Sequence, residues 1–266
     1  MRWTEQQRAA RVFTDIHTSS PRVAMHLRHR VVGLCLALAT AFPACSQPSY
    51  EAQRNALAAE IEREVFATSA YTGRSRLDAR VIDAIRTVPR HEFVPEAVRA
   101  HAYANWPLPI GDDQTISQPY IVALMTDLAD VGPDSVVLEV GTGSGYQAAV
   151  LAEIVAHVYT IEIIDALGRR AAQTLERLGY DNVTVMIGDG YLGWPEVAPF
   201  DAILVTAAPE TVPQPLIEQL KIGGKLVIPV GAEYREQSLQ VIEKGPGGEI
   251  SRTDVLPVQF VPLIRD

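Results

Sequence analysis

The segment Val136-Val137-Leu138-Glu139-Val140-Gly141-Thr142-Gly143-Ser144-Gly145-Tyr146 restricts the fold more than any other part of the chain. An apolar, β-rich run leads without a break into glycines at alternating positions, and a helical pattern follows at Gln147–Ile154. Glycine lets the backbone turn tightly and approach a ligand with no side chain in the way. The helix that follows opens with amide groups that no helical carbonyl can satisfy. A strand apolar on both faces belongs in a parallel sheet covered by helices. The flanking text alternates accordingly. Strands are predicted at Ser135–Val140, His157–Ile161, Val183–Ile187, Ala202–Thr206, Lys225–Pro229 and Leu239–Glu243, and further helices at Asp165–Leu178 and around Pro213–Leu220. This succession predicts an α/β fold with a mainly parallel, doubly wound sheet. Gly245-Pro246-Gly247-Gly248 marks a turn between late strands.

The text before this core is different. From Tyr50 to about Ile85 it is helix-like, with Leu57, Ile61 and Val65 at i, i+4 and i+8 and a second amphipathic segment at Asp78–Ile85. Residues 86–120 are proline-rich and without periodicity, and read as an ordered loop region with short helical pieces. An irregular stretch of that length in a compact domain is often functional. The expected division is an extension over 1–49 and one domain over 50–266, the latter made of a 50–130 portion and a 131–266 α/β core.

The glycine turn does not have the spacing of a dinucleotide site. That fingerprint, GxGxxG, needs glycine at its sixth position to pack helix against strand and seat a pyrophosphate, and Tyr146 stands there. The pattern is GxGxG, with Glu139 two residues before the first glycine. This spacing is associated with S-adenosyl-L-methionine, whose amino-acid end carries an ammonium that an acidic neighbour helps to position. Glu162 ends the next strand, 21 positions after Gly141, where a carboxylate can accept hydrogen bonds from both hydroxyls of a ribose. Asp189, in Gly188-Asp189-Gly190 after the third strand, is placed to bond an adenine amino group. In isolation Glu162 is a solvated strand-end charge and Asp189 an Asp-Gly turn. It is their convergence at the carboxyl ends of successive strands that suggests one crevice.

Charge and reactive side chains remove several alternatives. The chain carries a net charge of −9, but residues 1–49 hold six arginines against Glu5 and Asp15, which leaves −13 on the remainder. An acidic body has little with which to neutralise phosphates, so nucleic acid is not an expected partner. Both cysteines, Cys35 and Cys45, precede the expected domain, which removes thiol catalysis and a zinc-thiolate site. The histidines of the body, His91, His101 and His157, form no metal-ligand spacing, and no metal is expected.

Residues 25–45 have the layout of a secretory signal: Arg28-His29-Arg30, an apolar run from Val31 to Phe42, then Pro43-Ala44-Cys45. The run is short for a permanent membrane span. Export stands beside the alternative of a cytoplasmic protein with a poorly ordered extension, which a cofactor made in the cytosol supports.

The chain resembles the protein-L-isoaspartate O-methyltransferase family over most of residues 74–264. The resemblance is carried by Val88-Pro89-Arg90-His91-Glu92-Phe93-Val94-Pro95, Pro107-Leu108-Pro109-Ile110-Gly111 and Gln114-Thr115-Ile116-Ser117-Gln118-Pro119-Tyr120. It continues through the glycine turn, Gly188-Asp189-Gly190-Tyr191-Leu192-Gly193-Trp194-Pro195, Ala198-Pro199-Phe200-Asp201, Val205-Thr206-Ala207-Ala208 and Phe260-Val261-Pro262-Leu263. The glycine turn is common to many methyltransferases, whereas Gln-Thr-Ile-Ser-Gln-Pro is close to diagnostic. The resemblance implies a Rossmann-like S-adenosyl-L-methionine-dependent methyltransferase fold and methyl transfer to the carboxylate of L-isoaspartyl residues in damaged proteins and peptides, with S-adenosyl-L-homocysteine as the second product. In the family the ester then collapses to a succinimide that opens partly to normal aspartate. The resemblance makes Ser117 the active-site serine and assigns the cofactor to Thr115, Ile116 and Ser117 on one side and Glu139, Gly141, Gly143, Gly145, Glu162, Asp189 and Gly190 on the other. It also implies a monomer, although no residue pattern speaks to oligomeric state.

One departure stands out: the family usually has glycine directly before Gln-Thr-Ile-Ser, and here Asp113 follows Asp112. If the backbone there needs a positive φ, aspartate tolerates it at some cost, and its charge opposes an anionic acceptor. The acceptor carboxylate is ionised near neutral pH, so no strong general base is required. Ser117 is therefore expected to orient the acceptor or close over the cofactor, and no GxSxG elbow or Ser-His-Asp set marks it as a nucleophile. Two other readings remain: a methyltransferase acting on another acceptor through the same crevice, and a relative that binds damaged peptides or nucleosides without turnover. A nicotinamide dehydrogenase is disfavoured by Tyr146.

Overall fold

A computed structural model describes residues 48–232 and 235–265, so the signal-like stretch at 25–45 lies outside the described residues. Ser49 opens the first described helix, α1 (Tyr50–Thr72), by accepting the Ala52 amide, and Gly73, at φ 67°, ends it with a left-handed cap. Leu57, Ala58, Ile61 and Val65 bury its apolar stripe. The helical text up to Ile85 is therefore two helices: Gly73 stops the first, and Asp78, whose carboxylate accepts the Arg80 amide at 2.8 Å, starts α2 (Ala79–Thr87).

After short 3-10 turns at Arg90–Glu92 and Glu96–His101 comes a small hairpin, β1 (Leu108–Gly111) and β2 (Gln114–Ile116). It falls in the region expected to be loop, because strands of four and three residues are too short to display alternation. Gly111 pairs with Gln114, so Asp112 and Asp113 form its two-residue turn, at φ 53° and 56°. Positive φ at both central residues is the turn whose twist suits a tight hairpin. The hairpin delivers Ser117 to the start of α3 (Pro119–Leu128), a helix buried along its whole length whose first turn contains Pro119.

The core alternates as predicted: β3 (Val136–Val140), α4 (Tyr146–Ala152), β4 (His157–Glu162), α5 (Asp165–Leu178), β5 (Val183–Ile187), β6 (Phe200–Val205), α6 (Gln214–Glu218), β7 (Leu220–Val230), β8 (Gln237–Lys244) and β9 (Ile250–Val258). The seven strands lie in the order β5-β4-β3-β6-β7-β8-β9. The first five are mutually parallel, and β8 and β9 add antiparallel pairings. The chain steps outward from β3 to β4 and β5, then returns to place β6 on the other side of β3. That reversal opens a crevice beyond the carboxyl ends of the central strands. Val137, Leu138, Val140 and Ala202 to Val205 are wholly buried, which accounts for their unbroken apolar text. In β9 only Val255 is buried, so its sequence carried little strand signal.

Gln47–Asp266 form one compact unit. No helix among the described residues is long and apolar enough to cross a membrane.

Candidate active site

A cavity opens at the carboxyl edge of the sheet, where ligands of open α/β sheets lie. It brings together Thr115, Ile116 and Ser117 from the hairpin exit, Glu139 from β3, Gly141 and Gly143 from the glycine turn, Glu162 from the end of β4 and Gly190 after β5. Gly145 and Asp189 stand behind this lining. Gly145, at φ 89°, is the N-cap of α4, and a Cβ there would press on Leu175 and Ala171 of α5. The Asp189 carboxylate accepts the Tyr191 amide at 2.9 Å and caps the 3-10 turn Gly190–Leu192.

The glycines along the cavity are there for space as well as for conformation. Gly141 adopts φ 96°, and a Cβ would lie 2.5 Å from Thr206 Oγ1, a hydroxyl that donates to the Gly141 carbonyl at 2.6 Å. A Cβ on Gly190 would run into Val140 Cγ1. Their own neighbours therefore leave no room for a side chain at these two positions, and the backbone there stays bare.

Glu139 is the most unusual residue of the site. It is completely buried in the middle of the sheet. Its Oε2 accepts the Thr160 hydroxyl at 2.5 Å, and with the Thr160 proton so committed, the Thr142 hydroxyl donates to Thr160 at 2.7 Å. Among the described residues Glu139 Oε1 has no hydrogen-bond partner. Burial pushes this carboxyl up to about 8; the Thr160 hydrogen bond opposes the rise and the neighbouring Glu162 adds to it. A buried, half-satisfied carboxyl on the wall of a cavity suits a cationic ligand group, because an ammonium would both partner Oε1 and favour the ionised form.

Glu162 is also buried, but both of its oxygens are occupied: Oε2 accepts the Gly143 amide at 2.7 Å and Oε1 the Ile164 amide at 3.0 Å. A carboxylate has about four acceptor positions, so two remain for hydroxyl donors. Glu139, Glu162 and the glycine cradle together fit the ammonium, ribose and backbone contacts of S-adenosyl-L-methionine.

The lining extends beyond the residues expected from sequence. Thr206 and Ala207, which follow β6, line the cavity, as do Val261 to Ile264. That last segment is held by Ala208, which donates to Val261 and accepts from Leu263, and by the Tyr191 hydroxyl, which donates to the Leu263 carbonyl. A residue directly after a buried parallel strand is a candidate on position alone, which could have drawn attention to Thr206. Nothing local in Val261–Ile264 indicates that it returns to the site.

Asp113 sits exposed at the hairpin tip, while the neighbouring Asp112 pairs with Arg170 of α5 at 2.9 Å. The concern about conformation applies at this position, since its φ is positive. The concern about charge is reduced by exposure to solvent. His91 is engaged elsewhere, bonded to the Tyr103 hydroxyl at 2.6 Å and stacked on Tyr50, and His157 meets Thr184.

Residues 62–266 match the family model described as protein-L-isoaspartate(D-aspartate) O-methyltransferase. The chain is 56% identical over 230 residues to protein-L-isoaspartate O-methyltransferase 2 of Syntrophobacter fumaroxidans, covering 86% of this chain and 93% of that protein. It is 60% identical over 204 residues to protein-L-isoaspartate O-methyltransferase 2 of a Polaromonas species, covering 77% and 97%. Among solved structures, a protein-L-isoaspartate O-methyltransferase superposes with a TM-score of 0.69 at 28% identity, over 79% of this chain and 65% of the other. The fold is shared with a putative protein-L-isoaspartate O-methyltransferase from Plasmodium falciparum in complex with S-adenosyl-L-homocysteine, at a TM-score of 0.67 and 24% identity, over 83% of this chain and all of the other.

Proposed function

The chain belongs to the protein-L-isoaspartate(D-aspartate) O-methyltransferase family, and from that premise we propose that its cavity binds S-adenosyl-L-methionine along the carboxyl edge of the sheet and receives the acceptor carboxylate of an L-isoaspartyl residue at Ser117. The protein is a carboxyl methyltransferase of damaged proteins. The observation that carries the site assignment is the meeting of three chain segments in the lining of one cavity: Thr115–Ser117, Glu139–Gly143 and Glu162.

When bound, S-adenosyl-L-methionine supplies an electrophilic methyl group that the carboxylate oxygen takes, leaving S-adenosyl-L-homocysteine. The protein's own residues hold and orient. Glu162 offers its free lone pairs to the ribose hydroxyls, and Glu139 meets the ammonium through Oε1. Gly141 and Gly190 admit the ligand to the backbone. The acceptor arrives ionised, so the protein needs no base; its task is placement in a site shielded from water. Ser117, half-buried at the hairpin exit, bears a hydroxyl suited to orient the acceptor. Val261–Ile264 add a largely apolar lining that helps to exclude water. The cofactor is a charged metabolite of the cytosol, which supports action in the cytoplasm.

The test is incubation of the purified protein with radiolabelled S-adenosyl-L-methionine and paired peptides that differ only in L-isoaspartate or L-aspartate. Base-labile label on the isoaspartyl peptide alone is the expected result. Cofactor binding with neither peptide labelled would exclude the repair activity.

A further inference from the structure

Arg90 is fully buried in the 3-10 turn that follows α2, and no carboxylate pairs with it among the described residues. Its guanidinium joins three segments instead. Nε donates to the Ala102 carbonyl at 2.9 Å, Nη2 donates to the Ser117 carbonyl at 2.9 Å, and the guanidinium carbon lies 4.7 Å from the centroid of the Tyr146 ring. Tyr146 is the buried first residue of α4, directly after the glycine turn, and lines the cofactor cavity. Its ring also meets Phe93 edge-on at 5.7 Å. Among the described residues Nη1 has no hydrogen-bond partner.

A buried cation without a counter-charge is an expensive way to fill space, and an apolar side chain of similar volume would serve packing alone at lower cost. Burial lowers the guanidinium only to about 10, so it remains charged at neutral pH. What an apolar side chain cannot do is grip two carbonyls in different segments while its flat face rests on an aromatic ring. One of those carbonyls belongs to Ser117, and the ring belongs to the helix that follows the cofactor loop.

We infer that Arg90 is a positioning residue for methyl transfer: its planar fork fixes the Ser117 peptide against the glycine loop and so sets the register between acceptor and cofactor. The inference rests on the function proposed above. Arg90 touches no reacting atom and acts through the Ser117 backbone, so its loss acts on turnover more than on cofactor binding. A displacement of about 1 Å between reacting partners is enough for a rate loss on the order of 100-fold.

The test compares the full-length wild type with Arg90→Lys, which keeps the charge but cannot span both carbonyls. Each is purified with S-adenosyl-L-homocysteine present to support folding, then freed of it, and assayed on the isoaspartyl peptide at saturating cofactor. The expected result is a kcat at least about 10-fold lower with a Kd for S-adenosyl-L-homocysteine within about 3-fold of wild type. Should Arg90→Lys not fold, Arg90→Gln, which can donate to only one of the two carbonyls at a time, takes its place, and the same split is expected. An unchanged kcat per folded molecule, or a Kd that weakens while saturated kcat holds, overturns the inference and leaves Arg90 a structural residue. A wild type that binds cofactor but labels no isoaspartyl peptide overturns instead the functional assignment on which it rests.

Discussion

Glu162 Oε2 accepts the Gly143 amide at 2.7 Å, so the end of β4 and the glycine turn after β3 are joined through the carboxylate proposed to hold the ribose. With Oε1 taken by the Ile164 amide, Glu162→Gln has no good orientation, because its NH2 group must face one of two backbone donors. The substitution is expected to weaken S-adenosyl-L-homocysteine by at least about 10-fold, since a hydrogen bond to a charged group contributes about 1.5–3 kcal/mol. It should also lower apo stability, because one buried amide loses its acceptor. Calorimetric titration and a thermal melt measure the two effects; affinity within 2-fold of wild type excludes the ribose role.

Glu139 should make cofactor binding depend on pH. Its carboxyl, at about 8 in the folded apo protein against 4.5 ordinarily, holds a proton that the unfolded chain releases. Its contribution to apo stability therefore falls as pH rises from about 4.5 to about 8, by at most about 1.4 kcal/mol per unit, and is level outside that window. Pairing with an ammonium requires the ionised form, so binding below pH 8 should release about one proton. Titration of S-adenosyl-L-homocysteine at pH 6.5 in two buffers of different ionisation enthalpy is expected to show that release in the wild type and none in Glu139→Gln. Buffer-independent heats in the wild type would remove Glu139 from the ammonium site.

At the hairpin tip, Asp113→Gly should stabilise. The residue sits at φ 56° in a turn that favours glycine at this position, and left-handed backbone costs most L residues about 1–2 kcal/mol, aspartate less. A gain of roughly 0.5–1 kcal/mol is expected, raising Tm by about 1–4 °C in a chain of this size. Differential scanning calorimetry measures it. The KM for the isoaspartyl peptide should change little, because the Asp113 carboxylate is exposed to solvent.

The parts of this molecule legible in sequence are those fixed by local chemistry. The Val136–Val140 strand is buried on both faces, so its text is apolar apart from Glu139, and the glycines after it are required by positive φ and by the nearness of Thr206. Glu139 and Glu162 could be placed because strand ends converge in a parallel sheet. Gly145 packs against α5 and Asp189 caps a 3-10 turn, contacts that sequence spacing does not show. The hairpin before Ser117 and strand β9 escaped periodicity, being respectively very short and mostly exposed. The return of Val261–Ile264 to the cavity lining, and the grip of Arg90 on Ser117 across 27 residues, are tertiary contacts with no local signature. The chain's most explicit clue, Gln-Thr-Ile-Ser-Gln-Pro, spoke through family resemblance rather than through residue physics.

The most direct test of the central claim, that one cavity joins a cofactor cradle to an acceptor wall at Ser117, is to measure Ser117→Ala twice. Calorimetry gives its Kd for S-adenosyl-L-homocysteine, and radiolabel transfer gives its kcat on the isoaspartyl peptide. The account predicts a Kd within about 3-fold of wild type and a kcat lower by about 10-fold or more, as expected when an interaction made chiefly in the transition state is removed. Wild-type turnover in Ser117→Ala, or a rate loss wholly explained by lost cofactor affinity, would contradict it.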